Sequence, residues 1–272
     1  MHQPPCDALA CVERLQQAPA ILVWVELGQG SVPRENGAWM AVFADQVIGT
    51  IGGGHLEWSA IASAQARLHT ATEPWQQDVA LGPSLGQCCG GRVRLRFEPI
   101  SFQDRDRLSI QLLPVLHPVA LFGGGHVGHA IVQALAPLPF AVHWVDSRDG
   151  VFPDQLPHQT RGEYSDPVHQ AVRDIAPQSR VLIMSFSHAE DLDIVAACLL
   201  RQRERNDLPF VGLIGSQTKW ATFSRRLRER GFGDAELQRI TCPIGLPGIT
   251  GKAPAVIGAS VAAQLLMHLY TI

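Results

Sequence analysis

The sequence predicts an α/β protein with two domains. The chain has 272 residues, which is close to two average domains. From about residue 118 onward, apolar strand-like runs alternate with helical patterns, which is typical of a parallel sheet with helices on both faces. Apolar residues make up 46% of the chain, enough for a sizeable core without disulfides. We therefore expect a smaller N-terminal α/β domain followed by a larger domain built on a parallel sheet.

The predicted elements of the N-terminal domain rest on apolar spacing and on turn residues. Leu9, Val12 and Leu15 share one face of a helix, and alternation over residues 92–97 predicts a strand with three arginines on one side. A glycine run at residues 52–54 precedes a helix and is expected to expose backbone N–H groups. The predicted helices cover residues 7–17 and begin again near 55; the predicted strands cover 20–27, 39–43, 47–51, a short run near 79, and 92–97.

The predicted C-terminal domain alternates strands and helices along its whole length. We place its start at residue 118, after a linker over residues 106–117 that contains charged residues and prolines, so that the first domain covers residues 1–105. The predicted strands cover residues 118–122, 140–145, 180–186 and 210–215; the predicted helices cover 127–135, 167–175, 189–201, 218–230 and 254–269.

Composition excludes several classes of function. The net charge is −3 and only 17% of residues are charged, so a general nucleic-acid partner is not expected. The six cysteines lack the spacing of a secreted disulfide framework, and the first residues lack a signal-peptide pattern. The most apolar stretch, residues 253–270, is interrupted by polar residues and predicts a buried helix, not a membrane span. We expect a cytoplasmic protein without a membrane association.

The clearest motif is a glycine-rich loop at residues 123–128 (GGGHVG), between a predicted strand and a predicted helix. Gly123, Gly125 and Gly128 match the pattern G-x-G-x-x-G, whose glycines allow a tight turn and close approach of an anion. Asp146, about twenty residues on, ends the next strand, where an acid meets a ribose hydroxyl in dinucleotide-binding folds. The motif therefore predicts a Rossmann-like sheet, and the loop either binds a dinucleotide or serves the strand-to-helix geometry alone. His126 either faces a bound phosphate or is simply solvated.

Two further loops follow strands of the same predicted sheet. They contain His188 and Lys219, and both lie at the carboxyl end, where open α/β sheets bind ligands. In the functional interpretation, these two side chains line one crevice with the glycine loop. In the alternative, Ser216 or Thr218 caps a helix and Asp191 interacts with a helix dipole.

Cys88 and Cys89 are adjacent within a glycine-rich loop of the first domain. Adjacent cysteines rarely bond to each other because the geometry is strained, and a pair without a nearby histidine is a poor zinc site. We expect no metal site and interpret the pair as a reactive thiol whose pKa a neighbour such as Arg92 lowers. A thiolate favours soft metals and sulfur transfer. The alternative is that two small residues fill a tight loop.

These motifs, in their order along the chain, resemble the XdhC/CoxI family, the xanthine dehydrogenase accessory proteins. The resemblance covers nearly the whole chain. The matching segments are residues 29–34 (QGSVPR), 49–57 (GTIGGGHLE), 89–93 (CGGRV), 97–99 (FEP), 123–128, 145–148 (VDSR), 187–193 (SHAEDLD), 215–216 (GS), 242–246 (CPIGL) and 251–252 (GK). The final helix departs from the pattern, because many relatives carry an acid shortly after the proline equivalent to Pro254 and this chain does not.

The resemblance implies a chaperone for the molybdenum cofactor and no catalytic residue. Such a protein binds the pterin-dithiolene cofactor as cargo, protects it from oxidation and presents it to a cysteine desulfurase for sulfuration. It then inserts the cofactor into xanthine dehydrogenase, an enzyme of purine catabolism, and it is expected to be a cytoplasmic homodimer. Arg34, Arg92 and Arg148 suit the anionic phosphate of this cargo, and Cys88 or Cys89 suits molybdenum or its terminal sulfur.

Two other functions stay open. An NAD-dependent oxidoreductase would use the glycine loop and Asp146, which favours NAD over a 2′-phosphorylated nucleotide, but no acid or base for hydride transfer is identifiable. A docking scaffold would use a basic helix, although such a run of charge is typical of a solvated helix face. The arginines of that helix are Arg225, Arg226, Arg228 and Arg230.

Overall fold

The computed structural model describes residues 5–30, 32, 34–81 and 91–270. The chain divides into two compact units, the first ending at Val115 and the second beginning at Leu116. The division lies within residues 106–117, the predicted linker, but part of that segment is a helix, Arg105–Gln111. This helix forms because Leu108 and the nearby Leu112 are buried against the first unit. The sequence does not indicate this helix clearly, because most residues around the two leucines are charged or polar.

The first unit is a five-stranded antiparallel sheet with helices on both faces. Its helices are α1 (Pro5–Arg14), α2 (Gly54–Arg67) and α3 (Arg105–Gln111), with a 3-10 turn at Phe102–Asp104; its strands are β1 (Ala20–Gln29), β2 (Trp39–Val42), β3 (Val47–Gly49), β4 (Trp75–Ala80) and β5 (Arg92–Ile100). The strands lie in the order β3-β2-β1-β5-β4.

The central strand β1 divides the core of this unit into two layers. Successive side chains of a strand point to opposite faces. Ile21 and Val23 pack with Leu56 of α2. Leu22 packs on the other face with Cys11 of α1 and Leu108 of α3. The predicted α/β character of this unit is therefore confirmed, with an antiparallel sheet.

The second unit is a six-stranded parallel sheet. Its strands are β6 (His117–Phe122), β7 (Phe140–Asp146), β8 (Thr160–Tyr164), β9 (Arg180–Ile183), β10 (Phe210–Leu213) and β11 (Ile240–Thr241); its helices are α4 (His126–Leu135), α5 (His188–Arg205), α6 (Gln217–Glu229), α7 (Asp234–Leu237) and α8 (Pro254–Tyr270). The order β11-β10-β9-β6-β7-β8 is the strand order of the Rossmann fold. One core packs β6 and β9 against α5 and α6, and the other packs the opposite face against α4 and α8.

Several elements of the second unit differ from the sequence prediction, among them α7 and β11, which were not predicted. The predicted helix over 167–175 is a 3-10 helix, Val168–Arg173, which buries Val168, Ala171 and Val172 at a spacing of three or four. Strand β8 was not expected, because its five residues (TRGEY) are polar or small and half-exposed at the edge of the sheet. Within the described ranges, no helix is both long and apolar enough to cross a membrane.

Candidate functional site

The glycine loop lies at the switch point of the parallel sheet. It connects β6 to α4, and the neighbours of β6 in the sheet are β7 on one side and β9 on the other. The connection after β6 therefore leads to β7 on one side of it, and a later part of the chain adds β9 on its other side. A crevice forms between such diverging connections, outside the carboxyl ends of the strands. We call this place the carboxyl-edge crevice, formed by the loops that follow β6, β7 and β9.

The three motif glycines have different roles. Gly123 has φ +126°, and a Cβ there would lie 2.0 Å from the carbonyl oxygen of Met184. A Cβ at Gly128 would lie 2.1 Å from the carbonyl oxygen of Gly123. A Cβ at Gly125, in contrast, would meet no atom within 4 Å. The first and third glycines are therefore required by packing, whereas the second leaves the backbone open to a ligand.

Helix α4 begins without a side-chain cap. Gly125 is its N-cap and has no side chain to accept the first N–H groups, and His126 is exposed. Helices α5 and α6 differ, because Ser187 and Ser216 cap them through hydroxyl oxygens that accept backbone N–H groups at 3.2 Å. The uncapped N–H groups of α4, together with the helix dipole, favour an anionic ligand.

Asp146 is buried beneath the glycine loop, with 2% of its surface exposed. Its carboxylate accepts the backbone N–H of Gly124 at 2.5 Å, and it accepts three N–H groups of Arg148 at 2.8–2.9 Å. Burial alone would raise the pKa of Asp146, but the hydrogen bonds from Arg148 and Gly124 outweigh burial and hold this pKa below its usual range. A ribose hydroxyl would therefore have to displace Arg148.

Arg148 is held between Asp146 and an exposed aromatic ring. Its guanidinium carbon lies 4.7 Å from the ring centroid of Phe186, a residue of the β9–α5 loop that is 67% exposed. Nearby, the Ser147 hydroxyl donates to Glu190 Oε1 at 2.7 Å, while Glu190 Oε2 is enclosed and has no hydrogen-bond partner in the described chain. The crevice thus contains a fixed cation, an exposed flat ring and an unused acceptor.

His188 and Lys219 lie on the α5–α6 side of the same edge. Lys219 Nζ donates to Asp191 Oδ2 at 2.7 Å and to the Ile214 carbonyl at 2.8 Å. Asp191 Oδ1 also accepts the N–H and the hydroxyl of Ser185, both at 2.8 Å. The centroid of the Phe223 ring on α6 lies 6.2 Å from the centroid of the His188 ring and 5.3 Å from Lys219 Nζ. Lys219 therefore connects the loops after β9 and β10. The cap by Ser216, which the sequence offered as an alternative, is present, and the cap by Ser187 was not predicted.

A cavity of about 490 Å³ adjoins this edge beyond β10 and β11. Its wall is formed mainly by residues 242–251, with Gly215 and Ile257. Burial raises the pKa of the Cys242 thiol to about 11, with opposing effects from Lys219 and Asp191, so this thiol is protonated at neutral pH. No site role is predicted for these residues from the sequence. Their glycines and prolines are the one sequence signal for an irregular loop at a site.

The candidate residues of the first unit are only partly described. Cys88 and Cys89 lie outside the described residues. Arg92 begins β5 and is exposed, and Arg34 Nη2 is enclosed without a hydrogen-bond partner among the described residues. No group of three or more histidine, cysteine, aspartate or glutamate side chains in the described ranges is arranged to hold a metal ion.

The glycine run at residues 52–54 has fewer free N–H groups than the sequence suggests. Glu57 on α2 accepts the N–H groups of Ile51 and Gly53 at 2.9 and 3.1 Å and also the hydroxyl of Thr50. The N–H of Gly52 donates to the Thr50 hydroxyl oxygen at 3.0 Å. The expectation that this run exposes its backbone N–H groups is therefore wrong for Gly52 and Gly53. The glycine run forms a tight turn whose backbone N–H groups donate to the Glu57 carboxylate and the Thr50 hydroxyl.

Comparisons with known proteins agree with this architecture. A crystal structure from Bacillus halodurans, described as a xanthine dehydrogenase, aligns with a TM-score of 0.77 at 19% identity, covering 96% of this chain and 95% of the other. At that identity the match shows the fold alone. YqeB of Escherichia coli strain K12, an uncharacterised protein, is 28% identical over 258 residues. The alignment covers 92% of this chain but 44% of YqeB, so the chain spans less than half the length of that relative.

Two family profiles match the two units. Residues 14–77 match the XdhC and CoxI family, and residues 119–265 match the XdhC Rossmann domain. The second match alone covers more than half of the chain and includes the glycine loop and Asp146. The order of short motifs along the sequence and the strand order of the parallel sheet agree with these matches. The chain belongs to the XdhC and CoxI family.

Proposed function

We propose that this protein is a chaperone that binds the molybdenum cofactor as cargo and delivers it to xanthine dehydrogenase. The observation that carries the proposal is the carboxyl-edge crevice, where an open glycine and an uncapped helix start lie at the same edge as a fixed guanidinium. This combination suits a ligand with an anionic phosphate and a flat ring system. Membership of the XdhC and CoxI family supports the same cargo.

Each part of the crevice suits one part of the cargo. The free N–H groups at the start of α4 and the open backbone of Gly125 suit the phosphate. Arg148 keeps part of its guanidinium exposed, since its side chain is 37% accessible, and can donate to the same anion. Phe186 offers a ring face on which a planar heterocycle can stack. All of these contacts are noncovalent. This suits a carrier, because the cargo must be released to a recipient protein.

We further propose contacts to the cargo by residues of the first unit, on the basis of the sequence motifs alone. We assign Cys88 or Cys89 to molybdenum or its terminal sulfur, because a thiolate is a soft ligand. Arg34, whose enclosed Nη2 has no hydrogen-bond partner among the residues that the structure describes, and the exposed Arg92 are proposed as further anion contacts. In this proposal a cysteine desulfurase provides the sulfur while the cargo is bound. We further propose that the chaperone is a homodimer and acts in the cytoplasm.

The NAD-dependent alternative is weaker because of the contacts of Asp146. In a dinucleotide site this carboxylate would accept a ribose hydroxyl, but here four N–H groups already engage it. A titration of the purified chain with NAD and NADH distinguishes the two functions. Saturable binding below millimolar nucleotide would favour the oxidoreductase.

The docking alternative is weaker because acids already accompany most of the arginines on α6. Arg228 Nε lies 2.8 Å from Asp234 Oδ1, and Arg230 Nη1 lies 2.7 Å from Asp193 Oδ1. Arg225 lies 3.9 Å from Glu229 on the same helix. These are exposed pairs, each worth little to stability. They nevertheless reduce the net positive charge that this face presents to an acidic partner.

The direct test is to isolate the protein from cells that make the molybdenum cofactor. We expect about stoichiometric molybdenum and the fluorescent oxidation product of the pterin. Replacing Phe186 by Ala removes a stacking face, and such contacts are worth about 1–3 kcal/mol, so the affinity for the cofactor should fall by about 5- to 150-fold. Phe102→Ala is the matched control, because it removes an exposed aromatic ring from another part of the chain.

The cysteine assignment has a separate test. The double variant Cys88→Ala/Cys89→Ala should retain less sulfurated cofactor and should activate apo xanthine dehydrogenase less. Unchanged retention and activation would remove the cysteine role while leaving the crevice proposal intact. A protein that emerges empty from molybdenum-replete cells, and does not bind the cofactor anaerobically, would refute the proposed function as a whole.

A further inference from the structure

Arg180 is a buried cation without a partner. It is the first residue of β9 and is 8% exposed, and its side chain makes no hydrogen bond or ion pair in the described part of the chain. Its Nε is fully enclosed. Arg201, which is 5% exposed, shows how this chain satisfies a buried guanidinium. It donates twice to Asp207, at 2.9 and 2.6 Å, and also to the carbonyls of Val172 and Ile175.

The described surroundings of Arg180 contribute no carboxylate contact. Its neighbours in the sheet are Val119 on β6 and Phe210 on β10, which both pack toward α4 and α8. His117 precedes Val119 by two residues, so it points to the same face of the sheet. Burial and the charge of Arg180 both lower the pKa of His117. The ring of His268 on α8 lies 4.7 Å from that of Phe210.

An unpaired guanidinium at this depth is energetically unfavourable. Arginine stays protonated in proteins, so it cannot lose its charge as a buried lysine can. Removing an ion from water costs several kcal/mol unless hydrogen bonds and an opposite charge compensate. Burial acts on Arg180 without any compensating acid. The described structure therefore contains a donor group that an anion would complete.

We propose that Arg180 and His117 form a binding site for a small oxyanion, a phosphate or carboxylate group, at the amino edge of the parallel sheet. The planar guanidinium can donate two parallel N–H bonds to such a group, with the imidazole as a further donor. Only a small group fits, because so little of Arg180 is exposed. The site is separate from the carboxyl-edge crevice, since a strand of six residues spans about 17–20 Å. The proposal does not depend on the cargo.

The test measures the thermal unfolding of the full chain at constant ionic strength. Chloride is replaced stepwise by inorganic phosphate in one series and by acetate or succinate in another. The wild type should show a Tm that rises with the logarithm of the oxyanion concentration, because ligand binding to the folded state adds stability by mass action. A response to phosphate alone identifies a phosphate group, and a response to the carboxylates alone identifies a carboxylate.

Two arginine variants separate binding from folding. Arg180→Met removes an unpaired charge, so in chloride its Tm should equal or exceed that of the wild type, and its response to the oxyanion should be lost. Arg201→Met is the control; it should lower Tm, because it leaves Asp207 and two carbonyls without donors, but should retain the response. Arg180→Lys keeps the charge without the planar fork and should bind at least fivefold more weakly.

Three results would overturn the proposal. The first is a wild-type Tm that responds to neither phosphate nor the carboxylates beyond the effect of chloride. The second is an equal response in Arg180→Met and the wild type. The third is a loss of Tm in Arg180→Met as large as that in Arg201→Met, which would mean that Arg180 is already satisfied within the chain.

Discussion

Replacing Asp146 by Asn tests whether this carboxylate organises the glycine loop. The substitution keeps the shape of the side chain but removes its charge and turns one acceptor into a donor. In the structure, both oxygens accept N–H groups, so the amide nitrogen of Asn must face N–H groups of Gly124 and Arg148 or of Arg148 alone. Either orientation loses two hydrogen bonds from a residue that is 2% exposed.

The expected loss of stability follows from these contacts. Hydrogen bonds to charged groups contribute about 1.5–3 kcal/mol each, so two of them give an upper range of about 3–6 kcal/mol. Arg148 is 37% accessible and recovers part of its hydration when its partner is lost. We therefore expect Asp146→Asn to lower the free energy of unfolding by about 3 kcal/mol. For a unit of this size, that corresponds to a fall in Tm of about 6–12 °C.

The pH dependence gives a second, independent check. The pKa of Asp146 is lower in the folded chain than in the unfolded chain. Its stabilising contribution is therefore fully present above its unfolded pKa of about 3.9 and is lost as the pH falls through the lower, folded value. The difference in stability between wild type and variant should be constant near pH 7 and should shrink below about pH 4.

The assay is urea unfolding at pH 7 and pH 3, with hydrogen exchange of β6 and α4 to assign the loss to the glycine loop. Asp149→Asn is the control, because Asp149 is exposed and its carboxylate accepts only the N–H of Gly150 among the hydrogen bonds described. A variant within about 0.5 kcal/mol of the wild type, the range of ordinary surface substitutions, would refute the reasoning. So would a difference that persists unchanged at pH 3.

Three further outcomes are expected. Gly123→Ala should prevent stable folding of the second unit, because its Cβ would lie 2.0 Å from a carbonyl oxygen. Gly125→Ala should lower the free energy of unfolding by only about 1 kcal/mol, because Ala is a poorer N-cap, and it should weaken cargo binding. Circular dichroism melts and cofactor retention distinguish the two variants. Glu57→Ala should lower Tm, because it removes the one oxygen, Oε2, that accepts the hydrogen bonds from Thr50, Ile51 and Gly53, and equal melts would contradict this. Three thiols should resist iodoacetamide in the native chain at pH 8, since burial raises their pKa values to about 11 or 12, and mass spectrometry of labelled peptides provides the measurement. These thiols belong to Cys11, Cys198 and Cys242.

The parallel sheet and its switch point were predictable from the sequence. Alternating apolar strands and amphipathic helices give the layers, and the glycine spacing with Asp146 gives the first crossover. Strand β8 was not predictable, because its residues are polar or small and its pairing depends on β7. Helix α3 was missed for a related reason. Its apolar face consists mainly of two leucines within a charged segment, and tertiary packing stabilises it.

The internal contacts of the candidate site were much less predictable. The motif indicates an acid after β7, but it does not indicate that Arg148, two residues later, folds back to occupy that acid. The three glycines look equivalent in the sequence, yet two are fixed by neighbouring carbonyl oxygens and one is open. Both facts depend on atoms brought together from separate strands. The lack of a partner for the Arg180 side chain within the described ranges likewise emerges only from the folded structure.

The two borders of the six-stranded sheet limit how the second unit can associate. At one border β11 has only two paired residues, and at the other β8 carries Arg161, Glu163 and a glycine. Short or charged outer strands are poor templates for pairing with another polypeptide backbone. Growth of the sheet by addition of a foreign strand is therefore disfavoured at both ends. Association of other proteins with this unit is left to side chains on its loops and helices, and such contacts can separate again without breaking a ladder of backbone hydrogen bonds.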